Sequence, residues 1–432
     1  MADGRMLTRI DQGNLETAIR RHEMFRNARV GGARANLSHC DLSGLNLAGR
    51  DLAHADFVGA SLRGANLAGA RLDCAALFAC DLRQANLENA SLVKTDLRGA
   101  CLRGAILIGA NLFEADLRDG TLAEKQRDGT LSVVKVDSGS NPTEASGADL
   151  SGANLTNARL SGAVAVHTDF TDAVMRGCKL VRATLRGANL TGANLEGSDL
   201  SGADLKGACL RGAVLTGAAM ELTNFADAIM EDMLSDKPAG APLSSLERSL
   251  DDMLRDHMFW VGTSGAQGAR LDLSGFDLRG APNLSHACLT MVRAVGATLY
   301  GMEMSNAQLQ AAHLENADLR TAKLQNADLR GVNMKGAKLQ NTDLRGANLR
   351  PLVFDEKRSM RVDLSGARMR YCDLRGAALK GATLAGADLS FANLMGCDLG
   401  KADFTGAKLY GARLERKALE GVTLDGVLGL KL

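Results

Sequence analysis

Ala60-Ser61-Leu62-Arg63-Gly64-Ala65-Asn66-Leu67-Ala68-Gly69-Ala70-Arg71-Leu72 sets a beat that most of this chain keeps. Leu or Phe recurs at every fifth position from Leu37 through Phe57 to Leu122, eighteen positions in succession. Two residues before each centre stands a small side chain, such as Ala35, Cys40, Ala55, Ala60 or Cys80. One residue before it is usually Asn or Asp, and two after it usually Gly or Asn. Five fits neither the 3.6-residue helix nor the two-residue alternation of a strand. It fits a short extended step and a corner, repeated. Residues two apart on an extended step share a face, so the centre and the small residue before it both point inward. Gly or Asn after the centre supplies the positive φ of a tight corner. Backbone groups then pair with neighbouring coils about 4.8 Å away, which gives a β-solenoid of square section.

The runs Ala65-Asn66-Leu67-Ala68-Gly69-Ala70 and Gly187-Ala188-Asn189-Leu190-Thr191-Gly192-Ala193-Asn194-Leu195 resemble the A(D/N)LxG motif of the pentapeptide-repeat proteins. The resemblance implies an all-β solenoid, a right-handed quadrilateral β-helix with four pentapeptides in each coil. For function it implies little, although some members of that family resemble duplex DNA in size and charge and bind DNA gyrase. Those mimics are acidic, whereas this chain carries a formal net charge of +1.

The beat is interrupted at Ala123–Gly147, and Asp128-Gly129 followed by a β-branched run reads as a hairpin-like loop. It resumes from Leu150 to Phe225, vanishes from Met230 to Gly262, and returns from Leu273 to Leu424 with a one-residue slip at Pro282. A shorter interruption lies at Arg350–Val362. Leu15 to Phe25 has the apolar spacing of an amphipathic helix, and Ser244 or Ser245 is placed to start a second one carrying Leu246, Leu250, Met253, Leu254 and His257. The two segments align, His22 with His257 and Phe25 with Trp260. The chain therefore reads as two internally duplicated halves, each with an N-terminal α-helical cap to cover an open coil. The expected division is a cap at 1–34, a solenoid at 35–232 with its loop at 123–147, a linker and second cap at 233–262, and a second solenoid at 263–432 with its loop at 350–362.

Catalysis has no visible apparatus. The seven His residues are scattered, and the Asp residues that precede the centres answer a structural need. No cofactor or metal is expected, since the nine Cys lack ligand spacing and five of them (Cys40, Cys80, Cys178, Cys372, Cys397) replace Ala at the inward small position. No apolar run approaches a membrane span and none resembles a secretory signal, so a cytoplasmic location is expected.

The reading that results is a non-enzymatic scaffold for an unidentified protein partner, with loops and flat faces as recognition surfaces. Arg63, Arg83 and Arg103 fall twenty residues apart, one past their centres, and should form an arginine ladder with Arg98 and Arg118 beside it. Asp81, Asp96 and Asp116 are close enough to offset part of that charge. Asp128 and Lys135 in the first loop, and Asp355, Lys357 and Arg358 in the second, are the remaining candidate partner-binding residues. Nucleic acid is a poor fit to a near-neutral chain with 3% aromatics. The apolar tail Val427–Leu432 either plugs the last coil or meets a second copy in a homodimer.

Overall fold

The computed structural model describes residues 7–120, 122–125, 131–134 and 142–430. It divides into two compact units, Met1–Asp236 and Lys237–Leu432. Each is built almost wholly from parallel backbone pairing between residues one coil apart.

One pentapeptide shows why the sequence repeats as it does. Leu62 N–H donates to Asp81 O at 2.7 Å and Gly64 N–H to Arg83 O at 2.9 Å, both toward the next coil. Ala65 N–H closes the corner on Leu62 O at 3.0 Å, and Asn66 N–H reaches back to Leu45 O at 2.9 Å. The one N–H left over belongs to the residue after each centre. In the next coil the Arg83 N–H donates to Asp81 Oδ1 at 3.1 Å, and the same bond recurs wherever Asp or Asn precedes the centre. That side chain thus completes the backbone's hydrogen bonding, which a buried ladder cannot leave open. The corner itself needs positive φ, as at Gly64 (62°), and His54 and Cys74 adopt it without the glycine's freedom.

The interior is a single apolar column in each unit. Leu37 to Leu117 and Leu150 to Leu215 are buried with their Ala partners in the first, and Leu271 to Leu409 in the second. Cys178, Cys372 and Cys397 occupy the small position, and their Sγ atoms donate to carbonyls of a neighbouring coil. Burial pushes those thiols up to about 12, which leaves them inert packing groups.

Both units begin alike. Strand β1 (Thr8–Arg9) pairs in parallel with β2 (Cys40–Asp41), and helix α1 (Gln12–Arg26) lies between them in sequence. Leu15, Ile19 and His22 are its buried face, and Leu15 and Ile19 join the first apolar column. In the second unit β5 (Ala241–Pro242) pairs in parallel with β6 (Phe276–Asp277), with helix α2 (Leu250–Gly262) between. Between these entrances, β3 (Leu122–Lys125) and β4 (Leu131–Val134) form an antiparallel hairpin. A shorter one, β7 (Leu352–Val353) with β8 (Ser359–Met360), interrupts the second unit.

Several expected boundaries move. Leu122 is a hairpin strand residue, so the first run of centres ends at Leu117. Coil pairing resumes at Glu144, bonded to Cys101, with Thr143 and Ala145 buried in place of the usual Ala and Leu. The interruption is therefore shorter than 123–147. The first ladder also runs past Met230 as far as Leu234, which pairs with Val214. Val362 is fully buried and belongs to the coil, not to the second loop. Helix α2 is capped by Ser249, whose Oγ accepts the Asp252 N–H at 3.1 Å, and not by Ser244 or Ser245, so Leu246 precedes it.

Candidate recognition surfaces

The residues just before and just after each centre project outward and line the flat faces. Where they are Asp and Arg, as in Asp96-Leu97-Arg98, the two side chains lock. Arg98 Nε donates to Asp96 Oδ1 at 2.8 Å and its terminal nitrogen to Oδ2 at 2.7 Å, a bidentate clasp across the central residue. The same clasp forms at Asp81–Arg83, Asp116–Arg118, Asp277–Arg279, Asp318–Arg320, Asp328–Arg330, Asp343–Arg345 and Asp373–Arg375. For Asp81, Asp116 and Asp328 burial alone would raise the carboxyl. The guanidinium and backbone N–H bonds outweigh it and hold each below the ordinary carboxylate range.

This clasp decides the fate of the arginine ladder. Gly64 N–H on Arg83 O and Gln84 N–H on Arg103 O stack Arg63, Arg83 and Arg103 in one column. The middle member is clasped by Asp81. Two residues before Arg63 stands Ser61 and two before Arg103 stands Cys101, where the clasped arginines have Asp, and among the described residues neither has a carboxylate within ion-pair distance. On the adjoining face Arg98 and Arg118 are both clasped, and the Arg98 guanidinium also sits 5.5 Å over the Phe78 ring. The expected cationic stripe is two guanidiniums without an ion pair among the described residues, with a clasped one between them whose Asp81 also feels the charge of Arg63.

Asp128 and Lys135 lie outside the described residues. Asp355, Lys357 and Arg358 sit together in the β7–β8 turn, but they do different jobs. Asp355 Oδ1 accepts the N–H groups of Lys357 at 2.9 Å and Arg358 at 2.8 Å, while Oδ2 takes Arg358 Nε at 2.6 Å. The Arg358 side chain, first among these, holds the Asp355 carboxyl below its ordinary range. Asp355 and Arg358 thus shape the turn, and Lys357 is left to solvent. Beside it stand large apolar groups: Val353 is 67% exposed and Phe354 59%. Phe354 and Met360 line a shallow hollow with Lys357, Arg358 and Ser359. Sequence reasoning passed over Val353, Phe354 and Met360, although three such residues in a short loop were a readable signal.

A second feature went unseen. Tyr371 and Phe391 stack one coil apart with ring centroids 5.0 Å apart and planes 6° from parallel. Arg370 lies 5.8 Å and 5.7 Å from the two centroids. Both aromatics hold positive φ, 59° and 62°, unusual for bulky side chains. A side chain at Gly411 would collide with Phe391, so the glycine leaves the ring its place.

Among the described residues, no cluster of three His, Cys, Asp or Glu side chains is placed to hold a metal ion. No helix among them is long and apolar enough to cross a membrane.

Comparison with known proteins agrees with this geometry. The family model described as pentapeptide repeats matches residues 33–119, 145–217, 303–350 and 363–416, more than half of the chain. Among solved structures, a pentapeptide repeat protein of the Arabidopsis thaliana thylakoid lumen is 30% identical over 28% of this chain and 68% of its own, with a TM-score of 0.23. Rfr23 from the cyanobacterium Cyanothece 51142 is 31% identical over 31% of this chain and 86% of its own, with a TM-score of 0.23. QnrB1, a plasmid-mediated fluoroquinolone resistance protein, is 19% identical over 61% and 87%, with a TM-score of 0.24. No curated protein matches the sequence.

Proposed function

The chain belongs to the pentapeptide-repeat family, whose members fold as right-handed quadrilateral β-helices, and from that premise we propose that it is a non-enzymatic scaffold that binds a protein partner through its hairpins. Each half is a duplicated copy of the other, with a strand and a helix covering the N-terminal end of its coils. The observation that carries this reading is the β7–β8 hairpin. It places exposed Val353, Phe354 and Met360 beside Lys357 on a rigid ladder, where the faces themselves are occupied by self-satisfied Asp–Arg clasps. Large apolar side chains held out to solvent by an ordered backbone mark a protein-binding patch. The near-neutral charge disfavours the DNA-mimic alternative.

The ladder offers a clean test. Asn333 pairs with Asp363, whereas undisturbed coils pair residues twenty apart. Deleting residues 351–360 restores the twenty-residue offset and joins Arg350 to Arg361 as one pentapeptide. Deleting 120–142 does the same for the first hairpin. In co-purification from the native cell, the full chain is expected to recover a partner that the 351–360 deletion loses. Recovery of the same proteins by both deletions would overturn the hairpin reading, and gyrase subunits among them would favour the mimic.

A further inference from the structure

His22 and His257 occupy the same place in the two helices, and both are completely buried. The Ala35 N–H, at the first inward position of the first coil, donates to His22 Nδ1 at 3.1 Å. The opposite ring nitrogen lies 3.0 Å from Ala53 O. A backbone N–H can only donate, so Nδ1 carries no proton and Nε2 does. In the second unit the Leu271 N–H donates to His257 Nδ1 at 3.1 Å. There Nε2 faces the Thr290 carbonyl without closing a bond as good as that of His22. The residue before each donor repeats as well. Arg34 Nε caps His54 O at 2.5 Å, and Arg270 Nε caps Met291 O at 2.6 Å. Each imidazole is thus wedged between helix and coil, neutral, with its acceptor nitrogen filled by the backbone.

We propose that His22 and His257 are acid-released latches that hold α1 and α2 over their coils. Protonation puts a second N–H where the Ala35 or Leu271 N–H must point, so one docking bond is lost and a charge is buried. Burial is the leading influence on both rings and lowers their proton affinity. The groups facing His22 are Asp51 on the coil, which favours the charged ring, and Arg26 and Arg34, which oppose it. Asp51 is already shared with Arg26 at 3.7 Å and Arg71 at 3.5 Å. His257 faces Arg270, with no carboxylate among the influences on it. The released helix binds more protons than the docked one. Docking is therefore fully favoured above the ordinary imidazole value, about pH 6.5, and weakens as pH falls through it toward the lowered docked value.

The inference rests on the reading of these helices as covers, and the two can be told apart. Protection of α1 and α2 against amide exchange at neutral pH tests the cover, while its loss on acidification tests the latch. Trp260, the one tryptophan of the chain, stacks on His257 with ring centroids 5.8 Å apart. In the full-length protein its emission should change as pH falls below about 6.5, and His257→Gln should flatten that change. The protection factor of the α1 amides, the intrinsic exchange rate at each pH divided by the observed rate, should fall over the same range, by at most about tenfold per pH unit for one proton, and His22→Gln should suppress that fall. A His257→Gln curve that superimposes on wild type, or a flat wild-type curve down to about pH 4.5, would overturn the proposal. Should His257→Gln fail to fold, the wild-type ring ¹⁵N shifts decide. They must show Nδ1 unprotonated in the docked state, and its protonation must coincide with the Trp260 change.

Discussion

The entrance of the first unit and that of the second are built alike from different side chains. Both use a parallel arm strand, an N-capped helix, an imidazole that accepts the first coil's backbone N–H, and an arginine on a carbonyl of that coil. The apolar contacts differ. Helix α1 buries Leu15 and Ile19 completely. Helix α2 buries Leu250 and leaves Leu254, the counterpart of Ile19, only half-buried. Arg26 also ties the end of α1 to Asp51, while Val261 at the matching place in α2 cannot. The two entrances thus share the imidazole and arginine contacts to the first coil and differ in their apolar face.

The comparison breaks most visibly at that face. Leu15→Ala should cost the first unit about 2–5 kcal/mol, because the cavity opens inside a closed column. Leu254→Ala should cost the second nearer 1 kcal/mol, the ordinary effect of a point change. Because the chain has two units, each must be followed by its own signal: amide exchange in residues 12–26 for the first, Trp260 emission for the second. Equal losses would mean that α2 packs as tightly as α1.

The helix starts should show the opposite symmetry with a smaller effect. Asp11 accepts the Asn14 N–H at 2.8 Å and Ser249 the Asp252 N–H at 3.1 Å. Asp11→Ala and Ser249→Ala should each cost about 0.5–2 kcal/mol, measured as faster exchange in the first turn of the matching helix. A much larger loss at one of them would show that its cap holds more than its helix.

How much of this could be read in the sequence follows from what each feature depends on. The coils were legible because packing a narrow column demands a large residue at every fifth place and a small one two before it. Even there the pattern misled in both directions. Leu122 fell on the beat but serves a hairpin, and Thr143 and Ala145 fill coil positions without the expected residue types. The Asp–Arg clasp was half visible, since Asp81, Asp96 and Asp116 stood two residues from their arginines. That Arg63 and Arg103 lack such a partner follows from Ser61 and Cys101 and could have been noticed. The entrance bonds were out of reach. His22 meets Ala53 and Arg34 meets His54 across the coil, through backbone carbonyls that no residue identity marks.

The most direct test of the account is site-resolved amide exchange on the full chain at neutral pH, read at Ala35 and Leu271. Their N–H groups have no use except to meet an imidazole. The account predicts that both are protected to the level of the coil amides around them, and that His22→Ala exposes Ala35 alone while His257→Ala exposes Leu271 alone. Rapid exchange of both in the wild-type protein would contradict it, because the two helices would then not be held on their coils by these rings.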